Sequence, residues 1–308
     1  MWRYILRRSL LMIPIFLLIS IVIFSLIHIV PGNPIDNLLG PGMTVEHQRK
    51  LTEKYYLDKP VHIQYFICFK NLLHGDLGRS IIEKRPVGEL LMHHLPYSLN
   101  LGLSAIVLSF IFGVSMGIIS ASARNTILGH IALVFALRGV TIPSFWRGLI
   151  LILIFAVMLG WFPVTGSGNL QTLILPAITL ALGGAGLIAR VTRVSMLEVI
   201  SKDFVVLLHA KGLGKRAILL KHILRNALIP VITILGLRLG WVLGGAVTVE
   251  IVFARPGLGQ LLITGLYRRD YPVVQGALLL LAMGIILGTF LADILYAYAD
   301  PRVRDQHR

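Results

Sequence analysis

Charged side chains are scarce in this chain, and those set inside apolar stretches are its first candidates for chemistry. Arg238 lies within one apolar run and Asp293 in the last third of another. Arg138 and Arg147 flank the break Thr141-Ile142-Pro143-Ser144-Phe145-Trp146, and His28 closes the first run. An ionisable group in hydrocarbon is costly, so each is a functional hypothesis by default. For His28, Arg147 and Asp293 the competing explanation is anchoring at a membrane interface, with the polar tip snorkelling to water. Arg238 falls near mid-depth, so it faces either a partner helix or a watery cavity. Pro143, Phe145, Trp146, Arg238 and Glu250 form the set expected to line a pathway or a helix interface.

Residue sets for covalent chemistry are not apparent in the sequence. A phosphate-binding loop needs G-x-x-x-x-G-K-[ST]. The nearest approach is Gly212-Leu213-Gly214-Lys215, where Arg216 follows the lysine and His209 replaces the first glycine. Gly166-Ser167-Gly168 is too short for a nucleophile elbow and reads as a loop. His93-His94 beside Tyr97 is a possible metal pair, but adjacent residues do not share a helix face, and a solvated loop is the favoured reading. His28, His130, His209 and His222 lie in different segments, and Cys68 is the sole cysteine, so neither a disulfide within the chain nor a cysteine-based metal cluster is possible. The expectation is a chain with no catalytic residue, metal or cofactor of its own.

The elements that position these residues are apolar. Of 308 residues, 56% are hydrophobic and 14% charged, and the mean hydropathy is +0.81. Soluble domains carry about 25% charged and 45–50% apolar residues. Six segments are long enough to cross a bilayer: about Ser9–Val30, Tyr97–Ser120, His130–Phe162 with Pro143 inside it, Leu173–Val194, Leu228–Val249 and Gly276–Ala297. The first is longer than a signal-peptide core and lacks a small-residue cleavage pattern, so it reads as a retained anchor. The fold class is therefore an all-α polytopic membrane protein with six spans.

The net charge of +15 invites a nucleic-acid reading. The basic residues lie between apolar runs, however, as the positive-inside rule arranges them. With the N-terminus inside, the inner segments hold Arg3, Arg7, Arg8, Arg124, the basic run Arg190 to Arg225, and Arg302, Arg304 and Arg308. The short outer loops hold only Arg255, Arg268 and Arg269. Both termini are expected in the cytoplasm of a bacterial cell, with the chain in the inner membrane and lipid, not nucleic acid, around it.

Three regions follow: an anchor helix over 1–30, an extracytoplasmic cap over 31–95, and a five-helix core over 96–308 whose inner segment spans about 195–227. The cap has apolar content of its own in Tyr55, Tyr56, Leu57, Tyr65, Phe66 and Phe69. The inner segment is basic and helix-compatible, and Gly212 and Gly214 divide it. Gly236-x-x-x-Gly240-x-x-x-Gly244 has the spacing of close helix packing. It reads as a tight seam, or as a seam that slides.

The inner segment reads Lys202-Asp203-Phe204-Val205-Val206-Leu207-Leu208-His209-Ala210-Lys211-Gly212-Leu213, then Lys221-His222-Ile223-Leu224-Arg225-Asn226-Ala227-Leu228-Ile229-Pro230. It resembles the cytoplasmic coupling loop of ABC importer permeases of the dipeptide/oligopeptide/nickel family. The likeness runs along most of the chain: Tyr4-Ile5-Leu6-Arg7-Arg8, Pro31-Gly32-Asn33-Pro34, Leu57-Asp58-Lys59-Pro60, Gly75-Asp76-Leu77-Gly78-Arg79-Ser80, Arg85-Pro86-Val87, Pro256-Gly257-Leu258-Gly259-Gln260-Leu261, Asp270-Tyr271-Pro272 and Asp300-Pro301-Arg302. Each motif alone is weak, and their shared order is the signal. Asn33 departs from the commoner Asp. Leu207-Leu208-His209 stands where the family usually has Ala and Arg, implying a modified groove or leucines turned back toward the membrane domain.

The resemblance implies a permease subunit that performs no covalent chemistry. Asp203, Phe204, His209, Ala210, Lys211, Gly212, Leu213, Arg225 and Asn226 would couple it to ATPase subunits that carry ATP and Mg. Its implied partners are a second homologous permease, two cytoplasmic ATPases and an extracytoplasmic solute-binding protein. Di- and oligopeptides are the implied cargo, with nickel or a metal chelate as the alternative and glutathione among the open possibilities. Two other classes make different demands. An ion-coupled secondary transporter calls for an inverted repeat and a mid-membrane acid, and an intramembrane enzyme calls for a convergent acid, base or metal set.

Overall fold

A computed structural model describes residues 2–29, 58–124 and 126–299, all in helices and connecting turns, with no strand among them. The motifs Pro31–Pro34 and Asp300–Arg302, Leu57, and the side chain of His28 lie outside what it describes. The helices are α1 (Trp2–Ile29), α2 (Val61–Leu73), α3 (Val87–Ser122), α4 (Ile127–Thr141), α5 (Ser144–Leu151), α6 (Leu170–Ile200), α7 (Asp203–Ala210), α8 (Lys215–Leu239), α9 (Val247–Val252), α10 (Leu258–Tyr267) and α11 (Tyr271–Ala299).

Five of these contain a stretch long and apolar enough to cross a membrane: α1, α3, α6, α8 and α11. The third apolar segment of the sequence is not one helix. It is α4, a break at Ile142-Pro143, then α5, which widens into π-helical turns over Ile152–Met158. Pro143 lacks an N–H, and its ring biases Ile142 to the extended conformation found there (ψ 129°). The fifth segment is also displaced. Its helix begins at Lys215 and ends at Leu239, followed by turns over 240–246. The second span starts earlier than the hydropathy suggests, at Val87, so His93 and His94 lie in α3 and not in a solvated loop.

Small residues set the spacing between helices. Ser109, Gly113 and Gly117 recur at i, i+4 and i+8 on α3. A Cβ on Gly113 would stand 2.6 Å from Ile188 of α6, and one on Gly117 would stand 2.5 Å from Thr192. Ser109 Oγ donates to the Ala181 carbonyl at 2.8 Å. Such contact brings backbones close, which drives helix association where lipid is as apolar as leucine. The Gly236/Gly240/Gly244 series faces α11 in antiparallel order, against Ala292, Thr289 and Ile285. These glycines therefore form a close-packed seam, even though the last two lie past the end of α8. Arg8 of α1 and Asp293 of α11 form an ion pair at 2.9 Å, so the start of the first helix lies beside the end of the last.

Candidate functional site

The segment after α6 makes a sharp turn into α7, an eight-residue helix. Gly212 ends it with φ +78°. Its N–H donates to the His209 carbonyl at 2.9 Å, and the Leu213 N–H donates to the Leu208 carbonyl at 3.3 Å. These two bonds are a Schellman cap, which requires a left-handed residue where glycine carries no Cβ penalty. The cap returns the chain directly into α8. One face of α7 is anchored. Val205 is buried with Met196, Val199, Ile218, Ile223 and Ala227, and Leu208 and Leu213 pack against that cluster. The other face is bare: Val206 is 68% exposed, Leu207 55% and Phe204 37%. The two leucines of the unusual Leu207-Leu208-His209 run thus divide, Leu208 turned inward and Leu207 outward. Asp203, His209, Ala210, Lys211 and Gly212 are exposed around them, as are Arg225 and Asn226 on the first turns of α8. His209 Nδ1 lies 2.8 Å from the Val205 carbonyl, and Asn226 Nδ2 donates to the His222 carbonyl at 2.7 Å.

At the opposite end of the bundle, motifs far apart in sequence meet. Glu250 on α9 is fully buried. Its Oε1 accepts from Ser98 Oγ of α3 at 2.6 Å, and its Oε2 accepts from the Gly259 N–H at 2.7 Å. Ser98 Oγ in turn accepts from the Leu258 N–H at 2.8 Å. Gly257 lies against the carboxylate so closely that a Cβ there would overlap it. Pro256-Gly257-Leu258-Gly259 is therefore a cradle for one carboxyl group, and Glu250 clamps α9, α10 and α3 together. Burial pushes the Glu250 carboxyl above its ordinary value, opposed by bonds from Ser98, Gly259 and Gln260 and by the nearby Arg255 charge. Arg255 stacks over the Tyr97 ring, 5.8 Å from its centroid.

Asp270 does similar work. It accepts from Ser80 Oγ, from the Ile81 N–H at 3.1 Å and from the Ile82 N–H at 3.3 Å. The Gly75–Ser80 motif is thereby fixed to the residue that precedes α11. Tyr65 of α2 reaches Ser20 of α1 at 2.8 Å and packs edge-on against Phe24. Cys68 Sγ accepts from Gln275 Nε2 at 3.0 Å, and burial raises its thiol pKa.

The break at Pro143 presents Phe145 and Trp146 outward and turns Arg147 and Gly148 inward. Arg147 is buried against Gly183 of α6 and does not snorkel. Arg238 reaches the adjacent Gly184, near Ser109. Asp293 is not a lone anchor but the partner of Arg8. Sequence reasoning missed this last pairing, whose only trace was one acid and one base at opposite chain ends. It also missed the α3 small-residue stripe, whose four-residue spacing was visible. Among the described residues no group of three or more His, Cys, Asp or Glu could hold a metal ion.

The chain matches two family models, the binding-protein-dependent transport system inner membrane component over residues 113–305 and its N-terminal component over residues 1–102. It is 37% identical to the glutathione transport system permease protein GsiC of Escherichia coli K12 and of Salmonella typhimurium LT2, over 99% of each chain. Its fold resembles that of the inward-facing MetNI methionine ABC transporter, with a TM-score of 0.57 and 22% identity over 68% of this chain and 96% of the other. An amino acid ABC transporter with histidines gives a TM-score of 0.52 at 16% identity, over 68% and 94%. The chain belongs to the binding-protein-dependent inner-membrane permeases of ABC importers, of the peptide and glutathione type, and is a multi-pass inner-membrane protein.

Proposed function

We propose that this permease couples ATP hydrolysis on two cytoplasmic ATPase subunits to the import of a small peptide-like solute, glutathione or a di- or oligopeptide. The observation that carries the reading is α7. It is a short helix anchored on one face by Val205 and Leu208, with Phe204, Val206 and Leu207 bare on the other. An exposed apolar face on a rigidly capped helix suits a groove on a partner. Asp203, His209, Ala210, Lys211, Gly212, Arg225 and Asn226 surround that face and complete the docking surface, while Leu213 packs inward and holds the turn in place.

The chain crosses the membrane six times in this account. Residues 127–141 and 144–158 each extend about 22 Å at 1.5 Å per residue, short of a core about 30 Å thick. Together they make one broken span, and Pro143, Phe145 and Trp146 mark the break. Both termini are cytoplasmic. The Arg8–Asp293 pair supports this, because an even number of spans returns the C-terminus to the side on which the chain began. The anchor is 1–30, the cap 31–95 and the core 96–308. A second permease completes the passage, and a solute-binding protein delivers cargo to the side bearing the Asp270 and Glu250 clamps. Nucleotide-driven closure of the ATPase pair moves the two α7 segments and switches access from one side to the other.

Co-purification tests this reading. The tagged chain, expressed with its neighbouring subunits and solubilised mildly, is expected to retain a second permease and two ATPases. Recovery of the chain alone or as a simple homodimer refutes it.

A further inference from the structure

Arg147 and Arg238 approach consecutive residues of α6 from two different helices. Arg147 Nη2, from α5, stands 2.7 Å from where a Gly183 Cβ would be. Arg238 Nη1, from α8, stands 2.9 Å from the corresponding place on Gly184. Those two glycines lie midway along the 31-residue α6, well away from either water phase. With consecutive Cα atoms ~3.8 Å apart, the two guanidinium groups lie within about 12 Å of each other.

Both are short of partners. Arg147 Nε and Nη1 and Arg238 Nε are buried and make no hydrogen bond. Neither residue forms an ion pair among the described residues, although the chain does supply Asp293 to Arg8. Uncompensated charge at this depth is costly, and such groups face a partner or a water-filled passage. Any side chain at 183 or 184 would collide with these guanidinium groups or displace them, so the glycines make room for both.

We propose that Arg147 and Arg238 together receive the side-chain carboxylate of an acidic solute as it passes mid-membrane, so that the importer favours anionic over net-neutral cargo. The guanidinium fork matches a carboxylate through two parallel N–H···O bonds, and its charge persists at any working pH. Two such forks within about 12 Å suit a small molecule with a side-chain carboxylate beside its terminal one, such as a peptide with an acidic residue. The inference rests on the import function proposed above.

The test uses the assembled importer in proteoliposomes, with Ala-Glu and its near-isosteric neutral counterpart Ala-Gln as probes and glutathione as a third. Wild type is expected to import all three with ATP. Arg147→Met and Arg238→Met are each expected to lower the Ala-Glu to Ala-Gln uptake ratio at least about tenfold, as loss of a charged hydrogen bond implies. Arg147→Lys and Arg238→Lys are expected to restore most of it. An equal fall for both peptides in intact complexes overturns the inference and leaves the arginines a packing role. Failure of the methionine variants to assemble, with normal assembly of the lysine variants, overturns it in favour of a countercharge on the second permease. ATP-driven uptake of none of the three by wild type removes the peptide-import reading beneath it.

Discussion

Gly212 offers a sharp test of the proposed coupling segment, because the structure contains its own control. Gly212 and Gly75 both follow a helix with φ near +78° (+78° and +77°), and a Cβ at either position would meet nothing within 4 Å. Both are Schellman caps. The Gly75 N–H donates to the Leu72 carbonyl at 2.9 Å, and the Asp76 N–H donates to the Asn71 carbonyl at 3.0 Å. Alanine at either site therefore brings no clash, only the left-handed backbone cost of about 1–2 kcal/mol. That shifts the capped geometry by roughly 5–30-fold against its alternatives. At Gly212 the cost falls on the turn that sets α7 against α8; at Gly75 it falls on the end of α2. Gly212→Ala is expected to cut ATPase retention and ATP-driven uptake severalfold, with normal membrane insertion. Gly212→Asn should be milder, since asparagine tolerates this conformation. Gly75→Ala should leave ATPase retention unchanged. Equal behaviour of the two alanine variants, or full coupling in Gly212→Ala, would refute the claim that the cap positions the docking helix.

Four further outcomes follow from the same geometry. Leu207→Asp is expected to abolish ATPase retention without lowering the Tm of the solubilised chain, while Leu208→Asp lowers the Tm because Leu208 packs into the cluster around Val205. Glu250→Gln turns an amide donor toward the Ser98 or Gly259 donors, costing about 1–3 kcal/mol, visible as a lower Tm at normal expression. Asp270→Asn weakens three bonds to residues 80–82, worth about 1.5–3 kcal/mol each in the charged form, and should raise tryptic cleavage at the exposed Arg79 and Lys84 severalfold. Gly240→Val forces a methyl group toward Thr289 and the facing Gly288, an overpacking cost of about 1–3 kcal/mol, read as reduced Tm.

Much of the architecture was legible in hydropathy because a lipid-facing helix must be apolar along its length. Where that signal misled, tertiary packing had changed what an apolar residue reports. Val242, Leu243 and Ala246 are apolar because they are buried in the turns that follow α8, and hydropathy does not distinguish such turns from a continuing helix. Pro143 announced its break through the missing N–H, a local cause that sequence displays directly. Gly212 announced the end of α7 for a similar reason. The Glu250 and Asp270 clamps were different. Glu250 stood in the sequence as a pathway or interface candidate, but its bond to Ser98 spans 152 positions. The bond from Ser80 to Asp270 spans 190. No periodicity brings such residues together, so what ordered motifs share in space emerges only from the fold. Arg147 was equally opaque, because anchoring and burial give the same residue at the same depth until its neighbour is known to be Gly183.

The most direct test of the central claim is ATP-dependent uptake by the complete complex in proteoliposomes, with radiolabelled glutathione and Ala-Glu as cargo. Uptake should require the solute-binding protein and hydrolysable ATP on the face bearing α7, and it should persist when a proton uncoupler is added. Uptake that continues without ATP and collapses with the uncoupler would contradict the account and identify an ion-coupled carrier instead.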